Sequence, residues 1–555
     1  MLELSTSSRD RVSDPGRAEG GSAPRGAPVT GASARLRGPW RKMASFAAPV
    51  VAMAGVLVVW ALHWGGVDLA TQLYRVNLFR QYGFLVWDGS WYGGHYLLSY
   101  SVLFPPLGAA LGLYGVAVLS VGAAAWAFSQ LLRRNQVPGG VLPAVLFGAG
   151  MVVPVAIGQL AFVSGEAAAL LALLAATRRR RWLAAALTIC CPLLSQVAGA
   201  FLVLALVAWV LATPRGERRG LLMLTGLALA PMLVLDVLFP EPGWFPFWGS
   251  DVAIIVALCV VGLLVIPGRY RAVRIGLLLY GVATILLFVL PTPLGGNFGR
   301  LGEAVAPAAV AAWSLSSRRR AVALLVALPV LLWQWSPAWS AIQTGPQDPS
   351  RNSSYFQPLL THLAGQATFG RLEIPATRNH WESAFAAPVI PLARGWERQV
   401  DVAQNALFYR SARLTASTYR DWLTDTGVAW VALPDAPLDY SARAEVALLR
   451  RPPPYLQLAW HNAHWRLWRV VDSPGLASGP AHVVSVTPDR VDLQATAAGV
   501  ITVRVRYTSR WNVDVGRACV SQTPEGWTRV VVAGAQRVTL RISLTDHDAV
   551  CADSS

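Results

Sequence analysis

Stretches of about 20 apolar residues recur along this chain and are punctuated by clusters of arginine. That pattern constrains the fold more than any other feature, because a helix of that length spans a bilayer while satisfying its own backbone polar groups. The runs fall near 43 to 64, 116 to 132, 139 to 157, 160 to 177, 182 to 193, 197 to 212, 220 to 239, 252 to 267, 275 to 291, 303 to 316 and 320 to 336. They predict about eleven transmembrane helices. With 54% hydrophobic and 14% charged residues among 555, and a mean hydropathy of +0.43, most of the chain is excluded from being a water-soluble globule.

The net charge of +17 does not point to nucleic acid, because the basic residues sit between apolar runs. Arg41-Lys42, Arg133-Arg134, Arg178 to Arg181, Arg215 to Arg219, Arg269 to Arg274 and Arg318 to Arg320 fall at alternate boundaries, which places them on the cytoplasmic side. The opposite boundaries, Asp68 to His95, Gln159, Glu241 to Asp251 and Thr292 to Glu303, then face out, as does everything after 336. The N-terminus is cytoplasmic in this topology. Residues 182 to 212 hold too few residues for two comfortable crossings and predict a pair of short or re-entrant helices around Pro192 and Ser195. Phe104 to Tyr114 predicts an interfacial helix.

Residues 1 to 42 are rich in Arg, Ser, Gly and Pro and predict a disordered cytoplasmic tail. No small-residue cleavage pattern precedes Trp60 to Trp64, so the first span is expected to stay uncleaved. A transmembrane domain over 43 to 336 carries an outer loop at 65 to 115. An extracytoplasmic α/β domain is expected over 337 to 478, where Tyr419 to Pro434 reads as a short helix, a glycine cap and a buried strand. A β-sandwich-like domain follows over 479 to 555, from alternating runs at 499 to 507, 528 to 532 and 537 to 544. Of five cysteines, Cys519 and Cys551 lie in this polar part and are expected to bridge if it faces an oxidising space.

Between the first two spans lie Asp68-Leu-Ala-Thr-Gln-Leu-Tyr-Arg75, Trp87-Asp-Gly-Ser-Trp-Tyr-Gly-Gly-His95 and Leu103-Phe-Pro-Pro-Leu107. Asp68 precedes an amphipathic stretch, so it serves either as a helix N-cap or as a general base at the membrane surface. Arg75, Arg80 and Arg300 are placed to meet a lipid phosphate through the guanidinium fork, with snorkelling as the plain alternative. Arg300, beside Gly295-Gly-Asn297, is the preferred anion contact. Glu166 sits inside an apolar helix, where a carboxyl lines a cavity or packs protonated. His95 and Asn297 complete the candidate substrate contacts, while Asp88 is expected to be a structural turn residue. His461-Asn-Ala-His464 has ligand-like spacing without an obvious third ligand, so no metal site is predicted. The segment from Arg378 to Trp396 either binds glycan or seals against the membrane domain.

The run from Asp68 to Leu107 resembles the first outer loop of the GT-C superfamily of membrane glycosyltransferases. It is similar in particular to the actinobacterial multi-pass group known as "6-pyruvoyl-tetrahydropterin synthase-related" membrane proteins. Gly158-Gln-Leu-Ala-Phe162, Pro293 to Leu301, Arg378-Asn-His-Trp-Glu382 and Arg394-Gly-Trp-Glu-Arg398 extend the likeness over most of 60 to 470. The resemblance implies a plasma-membrane enzyme moving a sugar from a polyprenyl-phosphate donor to an envelope glycan, lipid or protein, with Asp68 alone inheriting the role of catalytic base. The loop lacks a close Asp-x-Asp pair, which leaves a divalent metal possible and not required. A transporter or flippase of a lipid-linked or small solute, and a non-catalytic envelope scaffold, are the competing functions.

Overall fold

The computed structural model describes residues 46–316, 320–366, 370–409, 413–544 and 551. The predicted tail at 1 to 42, with Arg41 and Lys42, lies outside the described residues, as do Arg318 and Arg319.

The chain is a mainly α-helical polytopic membrane protein with a β-rich C-terminal part, and every predicted apolar run coincides with helix. In order the elements are α1 (Ala47–Ala61), α2 (Leu69–Tyr82), the two-residue strands β1 (Trp87–Asp88) and β2 (His95–Tyr96), α3 (Phe104–Leu111), α4 (Leu113–Arg134), α5 (Val141–Gly150), α6 (Val152–Ile157) and α7 (Leu160–Thr177). There follow α8 (Arg181–Leu194), α9 (Gln196–Ala212), α10 (Arg219–Leu238), α11 (Gly249–Val265), α12 (Arg271–Val289), α13 (Arg300–Ser316) and α14 (Arg320–Thr344). Among the described residues five helices, α4, α7, α10, α12 and the one beginning at Arg320, are long and apolar enough to cross a membrane.

The shorter helices have local causes. Ser195 is extended, and its side chain accepts from the Ala198 backbone N–H, so it ends α8 and caps α9. At 14 residues α8 rises only about 21 Å, and it reaches the polar end of the bundle where the Val102 N–H donates to the Leu193 carbonyl at 2.9 Å. Residues 182 to 212 are therefore a short helical hairpin.

Arginines at the other end bind exposed helix-terminal carbonyls: Arg134 reaches Thr177 O at 3.0 Å, Arg218 reaches Thr213 O at 2.7 Å and Arg274 reaches Ile266 O at 2.8 Å. A guanidinium there satisfies orphan acceptors and the negative end of the helix dipole together.

At the polar end the chain continues through α15 (Ser353–Ala364), β3 (Arg371–Glu373), α16 (Glu382–Phe385), α17 (Arg398–Gln404), α18 (Ala416–Asp425), β4 (Val428–Pro434), α19 (Arg443–Leu449), β5 (Leu456–His461) and β6 (Trp465–Val470). The strands form a sheet ordered β3-β4-β6-β5, in which β3 and β4 are parallel and the other pairs antiparallel. The expected helix, glycine turn and strand are there: Thr415 forms a capping box with Thr418, Gly427 has φ +68° and β4 is buried. One hydrophobic core runs from Ala52 and Val121 in the bundle to Phe356, Trp430 and Trp465 in this layer, so the two parts are packed as one body.

The last part is a sandwich of two four-stranded sheets. One is ordered β12-β13-β10-β7 and the other β11-β14-β9-β8, where β7 is Ala477–Ser478, β8 Ala481–Thr487, β9 Arg490–Ala495, β10 Gly499–Arg506, β11 Trp511–Val515, β12 Ala518–Gln522, β13 Trp527–Val532 and β14 Gln536–Ile542. Inward side chains such as Leu493, Ile501, Val530 and Val538 fill the space between them. Cys519 and Cys551 are joined in a disulfide, with Cα atoms 4.7 Å apart.

Candidate functional site

The turn between α1 and α2 is fastened to the end of α6 by backbone bonds. Gly66 N–H donates to Ala156 O at 2.9 Å and Asp68 N–H to Ile157 O at 3.0 Å. This approach requires a glycine at 158, which has φ +96° and where a Cβ would lie 2.2 Å from the Leu69 nitrogen. From the opposite side the Trp396 indole donates to Val67 O at 2.7 Å. Asp68 is thereby held at the polar end of the bundle and is 8% exposed.

Asp68 occupies the N-cap position of α2, yet its side chain makes no capping hydrogen bond. The carboxyl interacts instead with Arg300, Gln159, His380 and Arg398. Burial pushes it above its usual range, against the opposing pull of those groups, with Arg300 first among them. A carboxyl held in this way is a better proton acceptor than one in water.

Beside it a cavity opens into the bundle, lined among others by Gln159, Phe162, Glu166, Arg300, Glu303 and Gln334. Arg300 lies at the start of α13, its Nη2 donating to Asn297 Oδ1 at 2.5 Å and its guanidinium carbon 5.2 Å from the Phe162 ring centre. Glu166 projects from α7 with its buried Oε2 unpartnered among the described residues. Four of the predicted residues, Asp68, Glu166, Asn297 and Arg300, thus belong to one site.

Arg75 and His95 belong to another cluster. Arg75 forms an ion pair with Glu397 and stacks over Tyr100, its guanidinium carbon 4.0 Å from the ring centre. His95 lies flat on Trp91, with ring centres 5.2 Å apart, and its Nε2 is 3.8 Å from Glu397. Burial, and then Arg75, push the imidazole down to about 3, so it is neutral. Glu241 accepts a hydrogen bond from the Tyr96 backbone and faces the same group, and burial holds both glutamates above their ordinary range. Tyr100 connects this cluster to Asp68, with which it interacts across the loop, and its hydroxyl accepts from Gln72 at 2.8 Å.

The segment from Arg378 to Trp396 meets the turn before α2 through the Trp396 bond to Val67 O, and polar contacts tie it and the residues that follow into their own layer. Asn379 donates to Asp348 at 2.8 Å, His380 lies 3.3 Å from Glu382, Arg398 grips Asp439 through two bonds of 3.0 Å and Arg394 binds Asp401 at 2.6 Å. Asp88 is structural, accepting from the Tyr74 hydroxyl at 2.7 Å and from Ser90 N–H at 2.9 Å. Arg80 reaches Asn77 and the carbonyls of Gly108 and Ala109. His464 bonds Asp435 at 2.9 Å. Among the described residues no three His, Cys, Asp or Glu side chains gather to hold a metal ion.

Sequence reasoning missed Tyr100, Glu241, Glu397, His380 and Gln334 as neighbours of these clusters. His380 and Glu397 stand in motifs that drew notice, but nothing local ties them to a loop some 300 residues earlier.

No family model matches the chain, and no curated protein does. Among solved structures it is similar to ArnT from Cupriavidus metallidurans bound to undecaprenyl phosphate, at 13% identity and a TM-score of 0.39, over 79% of this chain and 99% of that one. The apo form of the same protein matches at 14% identity and a TM-score of 0.40, over 79% and 98%. A likeness this slight carries no conclusion about reaction or ligand.

Proposed function

We propose that this chain is a membrane glycosyltransferase that moves a sugar from a polyprenyl-phosphate donor to a cell-envelope acceptor, with Asp68 as general base. The observation that carries this reading is the buried Asp68 carboxyl within electrostatic reach of Arg300, which lines a cavity together with Glu166. The acceptor hydroxyl gives its proton to Asp68 as its oxygen bonds to the anomeric carbon. The bond from that carbon to the phosphate oxygen breaks, and the departing phosphate takes its charge to the Arg300 guanidinium. Asn297 orients Arg300, while Glu166 and Gln159 offer hydrogen bonds to sugar hydroxyls. Loop motifs resembling the GT-C superfamily support the same reaction class.

In this reading the arginine clusters face the cytoplasm, and the polar end and C-terminal domains face out across the plasma membrane. The tail at 1 to 42 is then cytoplasmic, and the units at 337 to 478 and 479 to 555 are extracytoplasmic. The test is glycan and lipid analysis of a deletion strain. Accumulated polyprenyl-phosphate sugar, cleared by the wild-type gene and not by Asp68→Asn, supports transfer; an unchanged carrier pool overturns it, and counterflow of a labelled solute in vesicles would establish transport instead.

A further inference from the structure

Distinct from the Asp68 cavity, a groove runs between α2 and the entry to α3. Its walls are apolar, formed by Leu78, Phe79, Phe84, Leu98, Val102 and Pro105, and it is partly open to the outside. Two polar side chains, Arg75 and Ser101, are part of its lining. Ser101 is already used: its hydroxyl donates to Leu194 O at 2.8 Å and accepts from Phe104 N–H at 3.2 Å. Arg75 is not. Glu397, which takes one terminal nitrogen and does not line the groove, leaves the buried Nε and Nη1 without partners.

A buried guanidinium with two unspent donors is a costly arrangement unless an acceptor meets them. Apolar walls around a cationic floor suit a molecule with a hydrocarbon chain and an anionic head. The surroundings suit it too: Phe84 at 62% exposure, Leu107, Leu111 and Leu119 present apolar surface around α3 and the start of α4. On a chain that spans a bilayer such surface lies against lipid.

We propose that this groove is a binding site for an anionic glycerophospholipid of the surrounding bilayer, its phosphate on Arg75 and one acyl chain along Leu78, Phe79 and Leu98. The site is regulatory in effect. Arg75 lies over Tyr100, whose ring meets Trp396 edge to face at 5.8 Å, and Trp396 holds the carbonyl of the residue before Asp68. An occupied groove therefore braces the turn that presents the carboxylate. The inference rests on the chain spanning a bilayer and not on the transfer reaction, so the two fail separately.

The experiment is native mass spectrometry of the full-length protein in detergent, titrated with phosphatidylglycerol or phosphatidylcholine. Phosphatidylglycerol is expected to bind about fivefold more tightly, the discrimination one arginine supplies near a membrane surface. Leu98→Trp, which fills the groove and leaves the ion pair intact, is expected to abolish that preference, whereas Asp68→Asn keeps it. Equal binding of the two lipids, a preference undiminished in Leu98→Trp, or displacement of phosphatidylglycerol by a lower concentration of polyprenyl phosphate would each overturn the proposal.

Discussion

Arg75 on α2 and Glu397 before α17, 322 positions apart in sequence, form an ion pair whose side chains are 3% and 1% exposed. The pair binds the loop that carries Asp68 to the region that carries Trp396 and Arg398. Glu397 also gives its backbone carbonyl to the Tyr92 hydroxyl at 3.0 Å, so the glycine-aromatic turn is held at the same point.

Removing one partner leaves an uncompensated charge in a buried site. Arg75→Met or Glu397→Leu is expected to destabilise the detergent-solubilised protein by about 3–5 kcal/mol. The double variant should cost less than the sum, because each change removes the other's penalty. Thermal unfolding of the four proteins measures this, and additive effects would mean that the charges do not interact.

Gly158→Ala tests the close approach that sets Asp68. The new Cβ meets the Leu69 nitrogen at 2.2 Å, on a backbone of φ +96°, so the turn must move away from α6. Displacement of about 1 Å is enough to lower a positioned reaction about a hundredfold. Transfer should fall by that order while the protein still inserts in the membrane; full activity would show that the turn's position is not critical.

Arg300→Ala should weaken use of the lipid donor, raising its apparent KM by about tenfold or more, as expected for loss of a hydrogen bond to a charged group. Asn297→Ala should shift the same constant in the same direction by less, since it frees the guanidinium without removing it. Steady-state kinetics with varied donor settles both, and unchanged donor kinetics in Arg300→Ala would take the phosphate contact away.

Glu241 has its carboxyl held well above the usual range, by burial first and then by Glu397. A carboxyl raised in the folded state stabilises the fold at low pH, and that contribution is lost as pH rises from the ordinary carboxylate range through the raised value. Glu241→Gln keeps the neutral shape, so it should flatten the fall in thermal stability over that window. An identical pH dependence in variant and wild type would contradict the assignment.

Much of the bundle was legible because its signal is local. The run at 160 to 177 is α7 to the residue, and the arginine clusters mark one end of the bundle because helix-terminal carbonyls need donors there. The break at Pro192 and Ser195 was legible too, and Ser195 ends α8 and caps α9 there. In the sandwich, β10, β13 and β14 were visible as alternating runs, while β11 and β12 are only five residues long and half-exposed, too short to stand out. At the candidate site Asp68 and Arg300 were found by residue type and boundary position. Glu397 and His380 were not placed beside that loop, because their role depends on tertiary contacts across some 300 residues, for which a sequence holds no local pattern.

Transfer of labelled sugar from a polyprenyl-phosphate donor by the purified protein, wild type against Asp68→Asn, tests the role of this carboxyl. Loss of the base should lower turnover by about a hundredfold to ten-thousandfold, with donor binding retained through Arg300. Equal turnover in the two proteins would contradict the assignment of Asp68 as the general base.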